Sequence, residues 1–140
     1  MKTITILALT LLALTALAGC GGGSNSMPLA GSYTGPATDT SYGSGTMTLT
    51  IVGNGTLTGS FVVNETTVAT VSGTTTASGN ATLAMSNGLP GGRSVSDSGV
   101  LILNSATHAI SGTLTGTWTQ AVAPPGNTGS DTITVQLTRA

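Results

Sequence analysis

Along most of this chain, apolar residues or glycines take every second position and threonines or serines take the positions between. Met47, Leu49 and Ile51 alternate with Thr46, Thr48 and Thr50. Leu57, Gly59, Phe61 and Val63 alternate with Thr56, Thr58, Ser60 and Val62. Ile110, Gly112, Leu114, Gly116 and Trp118 alternate with Ser111, Thr113, Thr115, Thr117 and Thr119. Ile133, Val135 and Leu137 alternate with Thr132, Thr134, Gln136 and Thr138. A period of two sends successive side chains to opposite faces of an extended strand. Beyond residue 27 no stretch keeps the helical period of 3.6. The chain is therefore read as all-β. Its polar face is hydroxyl rather than charged, and threonine is a good strand former that pairs across strands.

Less regular strands are expected at 29–35, 67–77, 80–86 and 94–104, which makes eight in all. The last contains the apolar run Val100-Leu101-Ile102-Leu103, which cannot be phased and could carry a bulge. The connections at 53–55, 78–79 and 105–107 are short, and Asn54-Gly55 and Ser78-Gly79 have hairpin chemistry, because glycine and asparagine accept positive φ. Longer connections are expected at 36–44, 87–93 and 120–130, with 64–66 a short exception. In an up-and-down meander alternate connections lie at the same end. The long loops should then share one end, opposite the point where the chain enters. Eight such strands close most naturally into a small antiparallel barrel, which removes exposed edges; a two-sheet sandwich is the alternative. A barrel spanning a membrane turns its apolar face outward. Here a hydroxyl wall faces out, so the apolar face is the interior.

A phrase recurs inside this pattern: Gly55-Thr-Leu-Thr-Gly-Ser-Phe61 and Gly112-Thr-Leu-Thr-Gly-Thr-Trp118, with an echo at Leu29-Ala-Gly-Ser-Tyr33. In each, a glycine and an aromatic share the inward phase. An inward glycine lets a strand coil tightly, and an aromatic can cover the gap. Tyr33, Phe61 and Trp118 are expected near the mouth at the long-loop end. With its Gly31-Ser32-Tyr33 step the domain is loosely similar to avidin-like and lipocalin-like barrels. Avidin-like sites are lined by several tryptophans and this chain has one, so biotin binding is not carried over.

The amino terminus is read differently. Lys2 precedes an apolar run from Ile4 to Ala18, too short to span a bilayer, which needs about 20 residues, but suited to a signal peptide. The run ends in Leu17-Ala18-Gly19-Cys20, which resembles the lipobox of bacterial lipoproteins. The resemblance implies diacylglyceryl transfer to Cys20, cleavage between Gly19 and Cys20 by signal peptidase II at a site recognised through Leu17, Ala18 and Gly19, and a fatty-acylated amine, often palmitate. Two or more chains make membrane anchoring stable. It implies residence in the cell envelope, and Gly21 rather than Asp after Cys20 implies the outer membrane where there is one. Residues 1–19 are then a signal peptide, 20–27 a lipidated Gly/Ser tether, and 28–140 a single barrel domain. Cys20 is the only cysteine, so no disulfide forms within one chain.

Without Lys2 the charges are Arg93 and Arg139 against Asp39, Glu65, Asp97 and Asp131. Two arginines cannot neutralise a nucleic-acid backbone, which sets aside nucleic acid as a partner. The one imidazole, His108, lies in a turn with nothing to make it part of a triad. Gly88 to Ser94 is glycine-rich but lacks the ending of a phosphate loop and precedes a strand. The sequence points to no cofactor and no metal motif. Asp39, Glu65 and Asp131 should share an end, with Arg93 and Asp97 near it; a weak Ca²⁺ site is conceivable, but scattered solubilising charges are the expectation. The expected function is a non-enzymatic, lipid-anchored envelope protein. It would show a long-loop end, with Asp39, Tyr42, Arg93 and Asp131, to a protein or glycan. The alternatives are a small apolar ligand-binding barrel of calycin type and, more remotely, an enzyme inhibitor.

Overall fold

A computed structural model of the chain describes residues 27–86, 89–121 and 127–140, with the side chains of residues 67, 68 and 90 left aside. The proposed signal peptide, Cys20 and the tether up to residue 26 lie outside the described residues. Eight strands follow in order: β1 (Gly31–Asp39), β2 (Gly43–Ile51), β3 (Thr56–Val63), β4 (Thr67–Thr75), β5 (Asn80–Ser86), β6 (Arg93–Asn104), β7 (Ala109–Gln120) and β8 (Thr128–Arg139). A short 3₁₀ turn, Pro90–Gly92, precedes β6. Each strand pairs antiparallel with the next, and β8 returns to β1, closing the barrel. The sandwich alternative is thereby removed, because the β1–β8 ladder leaves no free edge.

Strand phase follows the sequence pattern. Leu57, Phe61, Leu114, Ile133, Val135 and Leu137 are fully buried, and apolar side chains from every strand meet in the interior. An eight-stranded barrel is just wide enough for its side chains to fill. Outside, hydroxyls pair directly across strands. Thr48 and Ser60 lie 2.9 Å apart, Thr74 and Thr82 3.0 Å, and Thr113 and Thr134 3.3 Å, each pair also a register pair. These contacts work as the sheet's outer cross-strand pairs.

Two expectations about the connections are corrected. Residues 36–44 are mostly strand. β1 and β2 pair from Gly31↔Ile51 to Asp39↔Gly43, leaving Thr40 to Tyr42 as a tight turn. The Gly, Pro and Ser content of this stretch suggested a loop, but pairing on both sides carries the strands through it. Pro36 lies at a gap in the β1–β8 ladder, which resumes at Ala37↔Val135; proline has no N–H to donate there. At the connection expected over 120–130, β8 begins at Thr128 rather than after 130.

β3 and β4 join through Asn64 and Glu65, both at positive φ (51° and 59°). Two successive positive φ values are the type I′ geometry that matches strand twist. This turn lies with the 40–42 turn and the connections after β5 and β7 at one end of the barrel. The turns after β2, β4 and β6 lie at the other. So does the entry at Met27, whose carbonyl accepts a hydrogen bond from Ala30 N at 2.8 Å.

The recurring glycine is a close approach between strands. A Cβ on Gly59 would strike the Thr48 carbonyl oxygen of β2, and one on Gly116 would strike the Ser96 carbonyl oxygen of β6. The aromatics also cover glycines, but on neighbouring strands. Phe61 Cε2 lies 2.9 Å from where a Gly45 Cβ would stand, and the Trp118 indole 2.6 Å from where a Gly129 Cβ would stand.

Candidate functional site

β1, β6 and β8 each carry one aspartate on the inward, apolar phase near the same end of the barrel. In β8 Asp131 is in phase with Ile133 and Val135; in β1 Asp39 is in phase with Tyr33 and Ala37; in β6 Asp97 is in phase with Val95 and Leu101. The register brings them together. Gly116 of β7 pairs with Asp97 on one side and with Asp131 on the other. Asp39 pairs with Ile133, two residues along β8 from Asp131. The three are 1–2% exposed, and one carboxylate oxygen from each lies within 4.8 Å of the others. These are atoms that could hold a cation.

The expectation of scattered solubilising charges is therefore corrected for these three residues. Each lies on the apolar side of a strand, and closure of the barrel points those sides at one another. Glu65 stays exposed on its turn and Arg93 is half-buried at the rim.

The turn at 40–42 holds one oxygen of two of the carboxylates. Ser41 N and Tyr42 N both donate to Asp39 Oδ1 at 2.8 Å. Thr40 Oγ1 and Ser41 Oγ donate to Asp131 Oδ1 at 3.1 and 2.7 Å. Thr40 is itself fixed to β8, since its Oγ1 accepts from Thr132 N at 2.9 Å and its N–H donates to Thr132 O at 3.0 Å. The other oxygens accept from no N–H or hydroxyl among the described residues: Asp39 Oδ2, Asp131 Oδ2 and both oxygens of Asp97, with the Asp131 carboxyl close enough to share a proton with Asp39 or Asp97. The buried hydroxyl of Tyr42 faces Arg93.

Burial dominates the electrostatics. It pushes the Asp39 carboxyl up to about 7, helped by the neighbouring Asp131 and opposed by the Ser41 and Tyr42 N–H donors. Asp97 is also pushed up to about 7, again by burial first and then by Asp131 and Asp39. Burial raises the Tyr42 phenol as well, while the Arg93 charge pulls it back. Arg93 is spread over the Trp118 ring, 4.2 Å from its centroid.

Of the residues expected at the loop end, Asp39, Tyr42, Arg93 and Asp131 do gather there, but in two layers. Arg93, Trp118 and Tyr42 are half-buried at the rim, whereas Asp39 and Asp131 lie beneath and cannot touch a macromolecule. Asp97, which the sequence places only near that end, belongs with them. The placement of the mouth aromatics is corrected too. Tyr33 is near the entry end, where its hydroxyl donates to Leu29 O at 2.9 Å, because β1 starts there. Phe61 is wholly enclosed by its neighbours. Trp118 alone of the three reaches the rim. His108 is exposed on its turn at φ 54°.

Neither the models of known protein families nor the curated protein sequences match this chain.

Proposed function

We propose that the protein is a lipid-anchored, non-enzymatic barrel of the cell envelope that presents its Arg93–Trp118 rim to a partner protein or glycan. The observation that carries this is the polarity of the barrel. The described chain enters at Met27, at the end opposite the rim. An anchor at Cys20, joined through a Gly/Ser tether, would therefore hold the entry end toward the membrane and turn the rim away. A stacked Arg–Trp pair at a rim is the kind of side chain that dominates protein interfaces. The buried apolar side chains that every strand sends into the interior favour this reading over a barrel that binds a small apolar ligand.

Two measurements test it. Radiolabelled palmitate should enter the wild-type protein and not Cys20→Ala, and globomycin should stall the precursor. Unstalled processing would remove the anchor from the proposal. Photo-crosslinking residues should be placed in intact cells at Glu65 and Thr119 on the rim end, and at Ala77 and Thr107 on the entry end. Adducts are expected from the first pair. Equal adducts from both pairs, or none from the rim, would overturn the orientation.

A further inference from the structure

We propose that Asp39, Asp97 and Asp131 form a binding site for a hard divalent cation, with Ca²⁺ the best fit. The inference rests on the interior of the barrel and does not depend on the anchoring proposed above.

Four observations converge. The three carboxylates offer ligand oxygens within 4.8 Å of one another, close enough to share one ion. Four of their six oxygens receive no hydrogen bond from a donor outside the cluster among the described residues, although the side chains are 98% buried or more; what Asp39 and Asp97 meet is the Asp131 carboxyl. Buried polar groups are normally satisfied, and each exception asks for an explanation. The remaining two oxygens are held by the 40–42 turn. That division, one oxygen oriented by a donor and its mate left free, is how outer groups fix a metal-ligating carboxylate. Finally, the row between Asp97 and Asp131 is a glycine. A Cβ on Gly116 would stand 2.6 Å from Asp97 Oδ1, so a side chain at this position would press on the free oxygens.

The donor set selects the ion. It is all oxygen, which suits Mg²⁺, Ca²⁺ and Mn²⁺ rather than ions that prefer nitrogen or sulfur. Mg²⁺ gives up its waters reluctantly and demands near-ideal octahedral geometry. Ca²⁺ accepts irregular shells of about six to eight oxygens and bidentate carboxylates. Asp97, with both oxygens free, is the candidate for the bidentate role. A cation also answers the energetic difficulty. Three carboxylates removed from water carry a heavy desolvation cost unless something neutralises them.

The experiment uses the protein purified as the cell processes it and stripped with chelator. Calcium is then titrated, with magnesium and manganese in parallel, by calorimetry and by thermal melting. Tb³⁺ serves as a luminescent substitute that the nearby Trp118 and Tyr42 can sensitise. Expected results are one Ca²⁺ per chain and a melting temperature raised by about 10 °C when Ca²⁺ exceeds its dissociation constant a hundredfold. Terbium emission should be displaced by Ca²⁺. Asp97→Asn should lose the binding heat and the terbium emission while melting in chelator no lower than the parent, which shows that it folds. No heat, no shift and no sensitised emission from the parent with any of the ions would overturn the proposal and leave shared protons as what neutralises the cluster. Unchanged binding in Asp97→Asn would equally overturn it.

Discussion

Replacing Gly116 by alanine adds one methyl group to the inward face of β7, and the structure gives the size of the collision. The new Cβ would stand 2.6 Å from Asp97 Oδ1 and 2.8 Å from Asp97 Cα, and closer still to the Ser96 carbonyl oxygen. The first two distances are about 0.8 and 0.6 Å short of the 3.4 Å at which ordinary contact begins. Two of the obstructing atoms are backbone of β6, so no rotamer change relieves them. β6 and β7 would have to separate along a ladder that runs from Arg93↔Gln120 to Asn104↔Ala109. Overpacking of this kind costs about 1 to 3 kcal/mol, and backbone against backbone places Gly116→Ala near about 3 kcal/mol. For a domain of this size that lowers the melting temperature by about 12 °C. Gly53 is the control, because nothing lies within 4 Å of its added Cβ and its φ is ordinary; Gly53→Ala should change stability by no more than about 0.5 kcal/mol in either direction. Thermal and urea melts of both variants measure the difference. A Gly116→Ala protein within about 0.5 kcal/mol of the parent would refute the claim that the repeated glycine is a close approach between strands.

Other outcomes follow from the same geometry. In chelator, stability should fall as pH rises from about 4 to about 7. Asp39 and Asp97 have folded pKa values raised to about 7 from 3.8, so the folded state holds protons that the unfolded state has released. Burial drives the loss in both carboxyls and the charges of the cluster add to it, so the two contributions are not additive. Urea melts across this range should flatten in Asp97→Asn, and stability that rises with pH would contradict the sign. Glu65→Gly should stabilise the β3–β4 turn by up to about 1 kcal/mol, because Glu65 sits at φ 59°; a loss of stability in melts would show that its side chain matters more than its backbone. Leu114→Ala, at a fully buried position, should cost about 2 to 5 kcal/mol, and a loss below about 1 kcal/mol would mean that the interior collapses to refill the space.

Much of the fold is legible because a strand writes its phase into its sequence. Alternation places Leu57, Phe61, Leu114, Ile133 and Leu137 inward, and all five are buried. The run Val100 to Leu103 could not be phased, since four apolar residues fit either face. Pairing of β6 with β7 decides it, with Leu101 buried and Val100 and Ile102 turned out at 45% and 63% exposure. The same ambiguity hid Asp97, whose inward direction depends on that register. The other two aspartates carried a readable signal. Asp131 shares the phase of Ile133, and Asp39 that of Ala37. An acid on an apolar phase is costly to bury alone, so it implies a partner, though not which one.

Local alternation is enough to establish the all-β reading, the inward face of most strands, the hydroxyl outer wall and the repeated glycine. Each of these depends on residues one or two positions apart. Pairing across the closed barrel is what makes residues 36–39 and 43–44 strand and sets Tyr33 and Trp118 at opposite ends. It alone assembled Asp39, Asp97 and Asp131, which are far apart along the chain, around Gly116. That assembly depends on ring closure and cross-strand register, which are fixed by the summed pairing of all eight strands and not by any local stretch.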